Sequence, residues 1–386
     1  MLALDTRWAF LGLSSIAKLF YRDLCLSRSD DDPVNHSLVA VSTTGTVQRA
    51  KQWLLEEGVP NVDEVRVYTE YEALLHHNGF DIVYISTPHG VHFEHARAAI
   101  MARRHVLLEK PATMTANQYA RLADLAKEQG VVFMEAMWTR YFPLTEYLTR
   151  NLLPRIGPVR RILADYSLPL FGDPDLDPHS RFLDKSTGSG SLLDLGVYPL
   201  TWCDLALGPT AADVKVQYAE TIEHETGVGE PIDDLTTLIL SRRGPDPVTC
   251  VVTISSSLPG SPVLPIQERL LRAKNAPCIR IQGTRAEVAL PFPPIRPESV
   301  SVQYYSADKL DSHGRESEES ITRPVVGWGL GYQADFMARR VREQTVSGAH
   351  EGIVIGHKES LRVLTWVDQA RSIAGISYDA ALERIW

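Results

Sequence analysis

Two short stretches of the sequence carry side chains suited to proton transfer, and the first is VLLEKPATMT. It places Glu109 and Lys110 at the end of an apolar run with the composition of a buried strand. Lys110 precedes Pro111, and a Lys-Pro bond fixes the backbone and permits a cis peptide that re-aims the lysine side chain. A solvated lysine at a strand end is the alternative interpretation of the same residues.

The second stretch is GSGSLLDLGVYPLTW. If it is helical, Asp194 and Tyr198 stand four residues apart on one face, which places a carboxyl group beside a phenol. A free phenol has a pKa near ~10, and an ammonium group within about 5 Å lowers it by about one to three units. Lys110, Tyr198 and Asp194 are therefore a candidate acid–base set in which the tyrosine takes a proton from an alcohol. The alternative is a core tyrosine that follows an aspartate near a helix N-terminus.

A third stretch, ISTPHGVHFEH, follows the fourth apolar run of the chain. Thr87 and Pro88 shape the turn after that run, and His92 opens the next helix. His89, His92 and His95 have a spacing compatible with metal binding, but no carboxylate or cysteine completes a ligand set. The sequence therefore predicts no metal site, and we expect Thr87, Pro88 and His92 to lie near a cofactor.

Aromatic and basic residues suited to binding a polar, ring-shaped molecule stand in two places. FMEAMWTRYFP ends the sixth apolar run with Trp138, Arg140 and Tyr141. Arg181 and Phe182 stand shortly before the Asp194 stretch, and we include them as candidate substrate-binding residues. Packing between two domains explains the first cluster equally well.

The stretch WAFLGLSSIAKLF reads as a short strand, a tight turn and an amphipathic helix, which is how a dinucleotide-binding βαβ unit begins. Gly12 takes the first glycine position of the G-x-G-x-x-G fingerprint, whereas Ser14 takes the second and Ala17 the third. Serine is a preferred helix N-cap, and helix N-terminal amides still bind a pyrophosphate. We therefore expect Gly12, Ser14, Ser15 and Ile16 to bind a dinucleotide, at a loss of about 1–2 kcal/mol for the missing glycine.

The choice between NAD and NADP is made at the end of the second strand, in VAVSTTGTVQRAK. An NAD site commonly offers a carboxylate to the ribose hydroxyls at this position. This chain offers Ser42, Thr43 and Thr44, with Arg49 a little further on. Neutral hydroxyls without a carboxylate accept a 2′-phosphate, so the sequence predicts NADP, with Glu109, Lys110, Trp138 and Arg140 toward its nicotinamide end.

The elements that must position these residues alternate regularly in the first part of the chain. Six apolar runs (RWAFLG, SLVAVS, EVRVYT, DIVYIS, HVLLEK and VVFMEA) are separated by segments with helical spacing. Short, nearly continuous apolar strands between helices indicate a parallel sheet covered on both faces. We therefore predict an α/β protein whose N-terminal domain, residues 1–140, is a doubly wound Rossmann sheet with ligands beyond the carboxyl ends of its strands.

The remainder of the chain, residues 141–386, has a different pattern of strand-like and helical stretches. Alternating, β-rich stretches follow one another without helices between them, apart from one helical stretch at SGSLLDLGVYPLTWCDLAL. This pattern predicts a C-terminal α+β domain with a large, open, mostly antiparallel sheet. DSHGRESEESITRPVVGWGLG reads as a surface loop, and two helices, at about 332–344 and 358–374, close the chain.

Composition excludes several classes of function. The chain has 386 residues, 44% of them hydrophobic and 23% charged, which is typical of a soluble two-domain protein. A net charge of −9 gives a nucleic-acid role no electrostatic support. Four scattered cysteines indicate reduced thiols, and no signal peptide or membrane span is visible, so we expect a cytoplasmic protein with a small-molecule substrate.

Several of these stretches, in this order, resemble the Gfo/Idh/MocA oxidoreductases. The similarity runs from Arg7 to about Tyr378 and includes DIVYISTPHGVHF, EKPATMT, FMEAMWTRYFPL, LLDLGVYPLTW and CIRIQGTRAEV. Within the family, the chain most resembles the branch of the dimeric dihydrodiol dehydrogenases and the fungal NADP-dependent D-xylose 1-dehydrogenases. The resemblance implies that Lys110 is the active-site lysine of the EKP motif, Tyr198 the catalytic tyrosine of the D-x-G-x-Y motif and Asp194 its acidic partner.

The resemblance also implies an activity and an assembly. The expected reaction is NADP-dependent hydride transfer from a cyclic hydroxyl compound, first D-xylose at C1, then a trans-dihydrodiol, with a secondary-metabolite reductase as a third reading. A non-catalytic sensor of a sugar regulon is the other class, and the retained lysine and tyrosine favour the enzyme. The open sheet of the family's second domain implies a homodimer. Three departures from the family pattern stand out: Ser14 replaces a glycine, Thr43 replaces a frequent arginine, and DKSTGSGS replaces a plainer glycine run.

Overall fold

The computed structural model describes residues 4–28, 33–227, 229–259, 277–305, 318–347 and 352–385. The chain forms two compact units. The first contains Met1–Tyr141, Val325–Lys358 and Leu382–Trp386, and the second contains Phe142–Pro324 and Glu359–Ala381. The sequence-based division at residue 140 places all later residues in the second domain, whereas two later segments pack with the first unit.

The first unit contains a seven-stranded sheet in which every pair of neighbouring strands is parallel. Its strands are β1 (Leu4–Leu11), β2 (Val34–Ser42), β3 (Arg66–Tyr68), β4 (Ile82–Ile85), β5 (His105–Glu109), β6 (Phe133–Ala136) and β15 (Val354–Ile355). Their spatial order is β15-β6-β5-β4-β1-β2-β3. The predicted doubly wound sheet is confirmed. The short strand β15 was not among the six strands predicted from the sequence.

Helices connect the strands of the first unit. They are α1 (Ser15–Leu24), α2 (Val47–Glu56), α3 (Tyr71–Leu75), α4 (His92–Met101), α5 (Ala116–Gln129) and, late in the chain, α9 (Leu330–Ser347). All four residues of β4 are buried, as the continuous apolar run requires. On one face of the sheet, the Tyr84 ring stacks on Phe20 of α1 at 4.2 Å and meets Phe10 of β1 at 5.2 Å. The strand order reverses between β1 and β4, so a crevice is expected at their carboxyl ends.

The second unit contains an eight-stranded sheet, which is antiparallel except for one parallel pair, β7 with β10. Its strands are β7 (Val159–Ser167), β8 (Lys215–His224), β9 (Ile232–Arg242), β10 (Val248–Ser255), β11 (Pro277–Gly283), β12 (Ala286–Pro291), β13 (Ser299–Tyr304) and β14 (Glu318–Thr322). The helices of this unit are α6 (Pro143–Tyr147), α7 (Ser191–Asp194), α8 (Val197–Leu207) and α10 (His357–Ala374). The predicted large, mostly antiparallel sheet is confirmed.

Two predictions about the second half of the chain need correction. The segment read as a surface loop contains β14, which pairs with β13; residues 311–317 of that segment lie outside the described residues. The stretch read as one helix is two, α7 and α8. Pro199 has no amide hydrogen and is tolerated only in the first turn of a helix, so α8 begins anew at Val197. Among the described residues, none of the helices combines the length and hydropathy needed to span a bilayer.

Candidate functional site

The turn after β1 is tight and favours glycine at position 12. Gly12 has a φ of +97°, in the region that residues with a Cβ rarely adopt. A Cβ there would lie 3.1 Å from the carbonyl oxygen of Ser86, which follows β4. The Gly12 amide donates to Ser42 O at 3.0 Å, and Ser86 Oγ donates to Gly12 O at 3.1 Å. The ends of β2 and β4 therefore fix this turn.

Ser14, at the second glycine position of the fingerprint, is the N-cap of α1. Its backbone is extended (φ −77°, ψ 172°), and its side chain accepts a hydrogen bond from the Ala17 amide at 3.3 Å. Ser15 and Ile16 are the first two residues of α1, and the amides of such residues have no carbonyl partner within the helix. The serine thus leaves the helix N-terminus in place as an anion-binding element.

A cavity of about 970 Å³ opens in the first unit at this end of the sheet. Eight of the residues chosen from the sequence line it: Gly12, Ser14, Ser42, Thr43, Thr44, Arg49, Thr87 and Pro88. Sequence reasoning missed other lining residues with polar or aromatic side chains: Lys18, Gln52, Trp53, Glu56, Thr69, Glu70, Tyr71, Ser86 and His95. Lys18, Ser86 and His95 lie in the stretches quoted above, at positions that the motifs do not mark. The other six belong to helix faces and to turns without a recognisable motif, so only the strand order brings them to the cavity.

The wall of the cavity after β2 is organised by short hydrogen bonds. Thr43 Oγ1 accepts from the Gly45 amide at 3.0 Å, and Thr46, the N-cap of α2, accepts from the Arg49 amide at 3.2 Å. The Arg49 side chain is exposed and makes no ion pair with any described residue. Lys18, on the neighbouring helix α1, lies 3.7 Å from Glu56 of α2. Arg49 is therefore a cation at this wall that no described carboxylate compensates.

His92 joins the turns that follow β4 and β5. The ring is completely buried, with Nε2 at 2.7 Å from Thr87 O and Nδ1 at 2.9 Å from Pro111 O. Thr87 Oγ1 also lies 3.0 Å from His95 Nδ1. His92 is not among the residues that line the cavity, so its contribution in this structure is to hold two adjoining turns together.

Two buried carboxylates fix the backbone around Lys110. Glu109 Oε1 accepts from Tyr84 Oη at 2.7 Å, and Glu109 Oε2 accepts from the Lys110 amide at 3.2 Å. Glu135 at the end of β6 accepts from the Ala112 amide at 3.0 Å. The Lys110–Pro111 bond is cis, and the Lys110 side chain is half-buried. The lysine therefore stands on a backbone that is held on both sides.

The turn after β6 carries the predicted aromatic and basic cluster. Residues Trp138–Tyr141 form one turn of 3₁₀ helix, with Trp138 buried and Arg140 and Tyr141 half-buried. The Tyr141 ring packs on Phe336 of α9 with ring centroids 5.0 Å apart. Because β4, β5 and β6 are parallel neighbours, Thr87, Lys110 and Trp138 all follow strands at the same edge of the sheet as the cavity.

In the second unit, the structure brings together the residues chosen around the Asp194 stretch. Asp194 ends α7 and Tyr198 lies in the first turn of α8, and both are buried. Arg181 Nη2 lies 3.8 Å from Asp194 Oδ1, and the Arg181 guanidinium stacks over the Phe182 ring at 4.2 Å.

Sequence reasoning missed Tyr166, which lies in the same cluster. Its ring meets the Tyr198 ring edge-on at 5.4 Å. Burial raises the pKa of the Tyr166 phenol well above its ordinary value, and the charges of Tyr198 and Asp194 add to this. Tyr166 is one of several aromatic residues in the β-rich half, and nothing in its local sequence marks it. Among the described residues, no three His, Cys, Asp or Glu side chains form a metal-binding group.

Two family models match the chain. The model described as an oxidoreductase family with an NAD-binding Rossmann fold matches residues 6–137, and the model of the GFO/IDH/MocA C-terminal domain matches residues 154–289. The two matches fall on the parallel sheet and on the mostly antiparallel sheet, respectively.

Curated relatives match along nearly the whole chain. The NADP(+)-dependent D-xylose 1-dehydrogenase of Hypocrea jecorina is 31% identical, over 96% of this chain and 93% of its own length. The trans-1,2-dihydrobenzene-1,2-diol dehydrogenase of Xenopus tropicalis is 26% identical, over 97% of this chain and 99% of its own length. Among solved structures, a 3-ketoreductase from Actinomadura kijaniata in complex with NADP and TDP-benzene is similar with a TM-score of 0.71. It is 22% identical and covers 96% of this chain and 98% of its own, a likeness of fold.

Proposed function

Because the chain belongs to the GFO/IDH/MocA family of oxidoreductases, we propose that it is an NADP-dependent dehydrogenase of a cyclic hydroxyl compound, most specifically D-xylose at C1. The observation that carries the proposal is the cavity beyond β1, β2 and β4, lined by Gly12 and Ser14 and, after β2, by hydroxyl groups and Arg49. The relative that is 31% identical is itself a D-xylose 1-dehydrogenase that uses NADP(+), which supports both the cofactor and the substrate.

The residues of the cavity fit a dinucleotide. A Cβ at Gly12 would crowd the Ser86 backbone, and the N-terminus of α1, capped by Ser14, offers amides to a pyrophosphate. At the end of β2, Thr43 and Thr44 offer hydroxyl groups and Arg49 a positive charge, which suit the 2′-phosphate of NADP. These residues would hold the adenosine half, and Glu109, Lys110, Trp138 and Arg140 follow the strands toward the nicotinamide half.

The proposed chemistry separates the two hydrogens of an alcohol. A bound nicotinamide supplies a two-electron acceptor for the hydride that leaves the carbon. Tyr198 Oη takes the proton of the hydroxyl group, and the Lys110 ammonium stabilises the phenolate form of the tyrosine and orients the substrate oxygen. Asp194 fixes the geometry of this exchange, and Trp138, Arg140, Tyr141, Arg181 and Phe182 bind the ring of the substrate.

The test is a turnover assay with purified protein, NADP or NAD, and two substrates, D-xylose and the trans-dihydrodiol of benzene. We expect the absorbance of reduced nicotinamide to rise with NADP and D-xylose. Turnover of the dihydrodiol instead would transfer the proposal to the second group of relatives, which are 26% identical. Tight binding of NADP without turnover of any sugar or diol would overturn the enzymatic proposal in favour of a nucleotide-binding sensor.

We also propose a homodimer formed through the C-terminal sheet. The edge strand β8 exposes two large apolar side chains, Tyr218 (41% exposed) and Ile222 (62% exposed). Light scattering after size exclusion should give about twice the chain mass of 43.0 kDa. A Tyr218→Glu/Ile222→Lys double variant should give the mass of one chain, and a monomeric wild type would contradict this part of the proposal.

A further inference from the structure

Asp233, on strand β9, is a buried carboxylate whose two oxygens contact different segments of the second unit. Oδ2 accepts from the Leu192 amide of α7 at 2.7 Å, and Oδ1 lies 3.3 Å from the hydroxyl of Tyr378. That hydroxyl donates to Ser189 O at 2.8 Å. Asp233 is 3% exposed, and none of these three contacts follows from the motifs around Asp194.

The segment between Ser189 and Leu192 packs against this pair without space for a side chain. Gly190 has a φ of +144°, and a Cβ at this position would lie 2.1 Å from Asp233 Oδ1 and 2.7 Å from Tyr378 Oη. Gly190 O accepts a hydrogen bond from the Asp194 amide at 2.9 Å. The position of the Gly190 peptide therefore sets the position of the Asp194 backbone. We call Asp233, Tyr378 and Gly190 the Asp233 clamp.

A count of hydrogens shows which protonation state completes the clamp. The Tyr378 hydroxyl has one hydrogen, and Ser189 O, a carbonyl, can only accept it. If Asp233 carries a proton on Oδ1, it donates to Tyr378 Oη while Oδ2 still accepts from Leu192. If Asp233 is ionised, the single tyrosine hydrogen must serve two acceptors.

Burial shifts Asp233 toward the protonated form relative to an exposed carboxyl group. Burial raises the pKa of the carboxyl group to about 6, against the lowering effects of the Leu192 amide, Tyr378, its own amide and the Arg371 guanidinium. Arg371 of α10 and Tyr378 are the charged and titratable groups that face it from the C-terminal elements. Its cross-strand neighbour on β8 is Glu223, which is exposed, and the side chain of Asp234 makes its contacts with Ser255–Ser257 instead.

We propose that Asp233 and Tyr378 are positioning residues, which hold the Ser189–Leu192 segment and through it place Asp194 for the reaction. This inference rests on the function proposed above, in which Asp194 orients the proton transfer. It predicts that activity depends on Asp233 and Tyr378, although neither contacts the carbon or the hydroxyl oxygen of the substrate. It also predicts that an amide side chain at position 233 works, because asparagine supplies an N–H donor to Tyr378 and an oxygen to Leu192.

The first test compares three variants with a matched control. Asp233→Ala should lower kcat about 10- to 100-fold, the scale of a small displacement of a catalytic group, with the KM for NADP little changed. Tyr378→Phe should lower kcat about fivefold, the scale of one lost hydrogen bond. Asp233→Asn should retain at least the wild-type kcat. The control is Asp165→Asn on β7, a carboxylate whose pKa burial also raises and which accepts from Thr253 and Ser167, and kcat should be unchanged.

The pH profile separates positioning from general stability. The ratio of kcat of Asp233→Asn to that of the wild type should be constant below the carboxyl pKa of about 6 and rise up to about fivefold above it. The ratio cancels the titration of groups that both proteins share. A ratio independent of pH, or an Asp233→Ala variant with wild-type kcat, would overturn the inference.

Hydrogen exchange of the peptide that contains residues 189–194 tests the clamp without any turnover. Exchange should be faster in Asp233→Ala and unchanged in Asp233→Asn and Asp165→Asn, while all variants bind NADP. If the wild type turns over no substrate, the proposed function fails, and this measurement alone judges the clamp. Equal exchange in Asp233→Ala and the wild type would overturn the clamp whatever the activity.

Discussion

Replacement of Gly12 by alanine tests the nucleotide cavity at its most constrained point. The φ of +97° costs a residue with a Cβ about 1–2 kcal/mol. The added Cβ would also lie 3.1 Å and 3.2 Å from the carbonyl oxygen and carbon of Ser86. These are backbone atoms, held in place because the Ser86 amide donates to Leu11 O at 3.0 Å. Alanine restricts the unfolded chain, which offsets about 0.4–1 kcal/mol of the backbone strain and leaves a net loss of up to about 1.6 kcal/mol. The close contact with the Ser86 backbone adds to this loss.

We expect the turn to move and relieve this strain, which weakens the binding of NADPH. A displaced turn no longer presents its backbone to the pyrophosphate, and a loss of about 1–2 kcal/mol raises the Kd for NADPH about 5- to 30-fold. Isothermal titration gives the Kd, and urea unfolding gives the free energy of unfolding.

The matched control is Gly45→Ala, which lines the same cavity. Gly45 has an ordinary backbone conformation, and a Cβ there would meet only Thr43 Oγ1 at 3.4 Å and Arg49 Cδ at 3.7 Å, which are normal contacts. We expect Gly45→Ala to bind NADPH as the wild type does. A Gly12→Ala variant with wild-type affinity, or equal losses in both variants, would refute the assignment of this turn to the pyrophosphate.

Three further predictions concern the cofactor, the chemistry and the pH dependence of stability. Arg49→Ala should raise the KM for NADP about tenfold, the scale of one hydrogen bond to a charged group at an exposed position, and leave the KM for NAD unchanged. Lys51→Ala is the control and should change neither KM. Equal effects of Arg49→Ala on both cofactors would contradict the 2′-phosphate role. Tyr198→Phe and Lys110→Ala should each lower kcat at least ~100-fold without loss of NADP binding, and a Tyr198→Phe variant with near-full activity would remove its proton-transfer role. Burial lowers the pKa of His105 from 6.5 to about 4. Between these two pH values the folded protein binds fewer protons than the unfolded chain, so its stability falls as the pH falls from 6.5 to about 4. The free energy of unfolding should fall by about 3 kcal/mol from this cause. In urea unfolding, a His105→Gln variant should lose correspondingly less free energy of unfolding between pH 7 and pH 4. Equal losses in the variant and the wild type would show that His105 does not cause the pH dependence.

The first six strands could be predicted because each is a local pattern. A continuous apolar run is typical of a buried parallel strand, and α2 begins at Val47 because Thr46 caps it. Ser14 illustrates the same point, since the side chain that interrupts the glycine fingerprint is itself an N-cap. The sequence also predicts that the turns after these strands lie near a cofactor, because the ends of parallel strands meet at one edge of the sheet.

The return of the chain to the first unit could not be predicted, because it depends on partners about 300 residues apart. Asp23, near the end of α1, accepts from the Trp328 amide at 2.9 Å and the Leu330 amide at 2.8 Å, so it caps α9. Arg28 forms two hydrogen bonds with Asp335 of the same helix. These buried charges attach α9 to the first unit, and nothing in the local sequence distinguishes them from ordinary surface residues. The short strand β15 follows from the same attachment.

The candidate residues around Lys110 and those around Asp194 differ in how far apart in the sequence their supports lie. Around Lys110, the supporting carboxylate of Glu109 is the preceding residue, so a motif can record it. Around Asp194, the supports come from Asp233, 41 residues from its partner Leu192, and from Tyr378, 189 residues from its partner Ser189. A motif search finds the residues that would touch the substrate and misses those that hold them. Substitutions near the C-terminal end of the chain should therefore act on the same chemical step as substitutions in the D-x-G-x-Y motif.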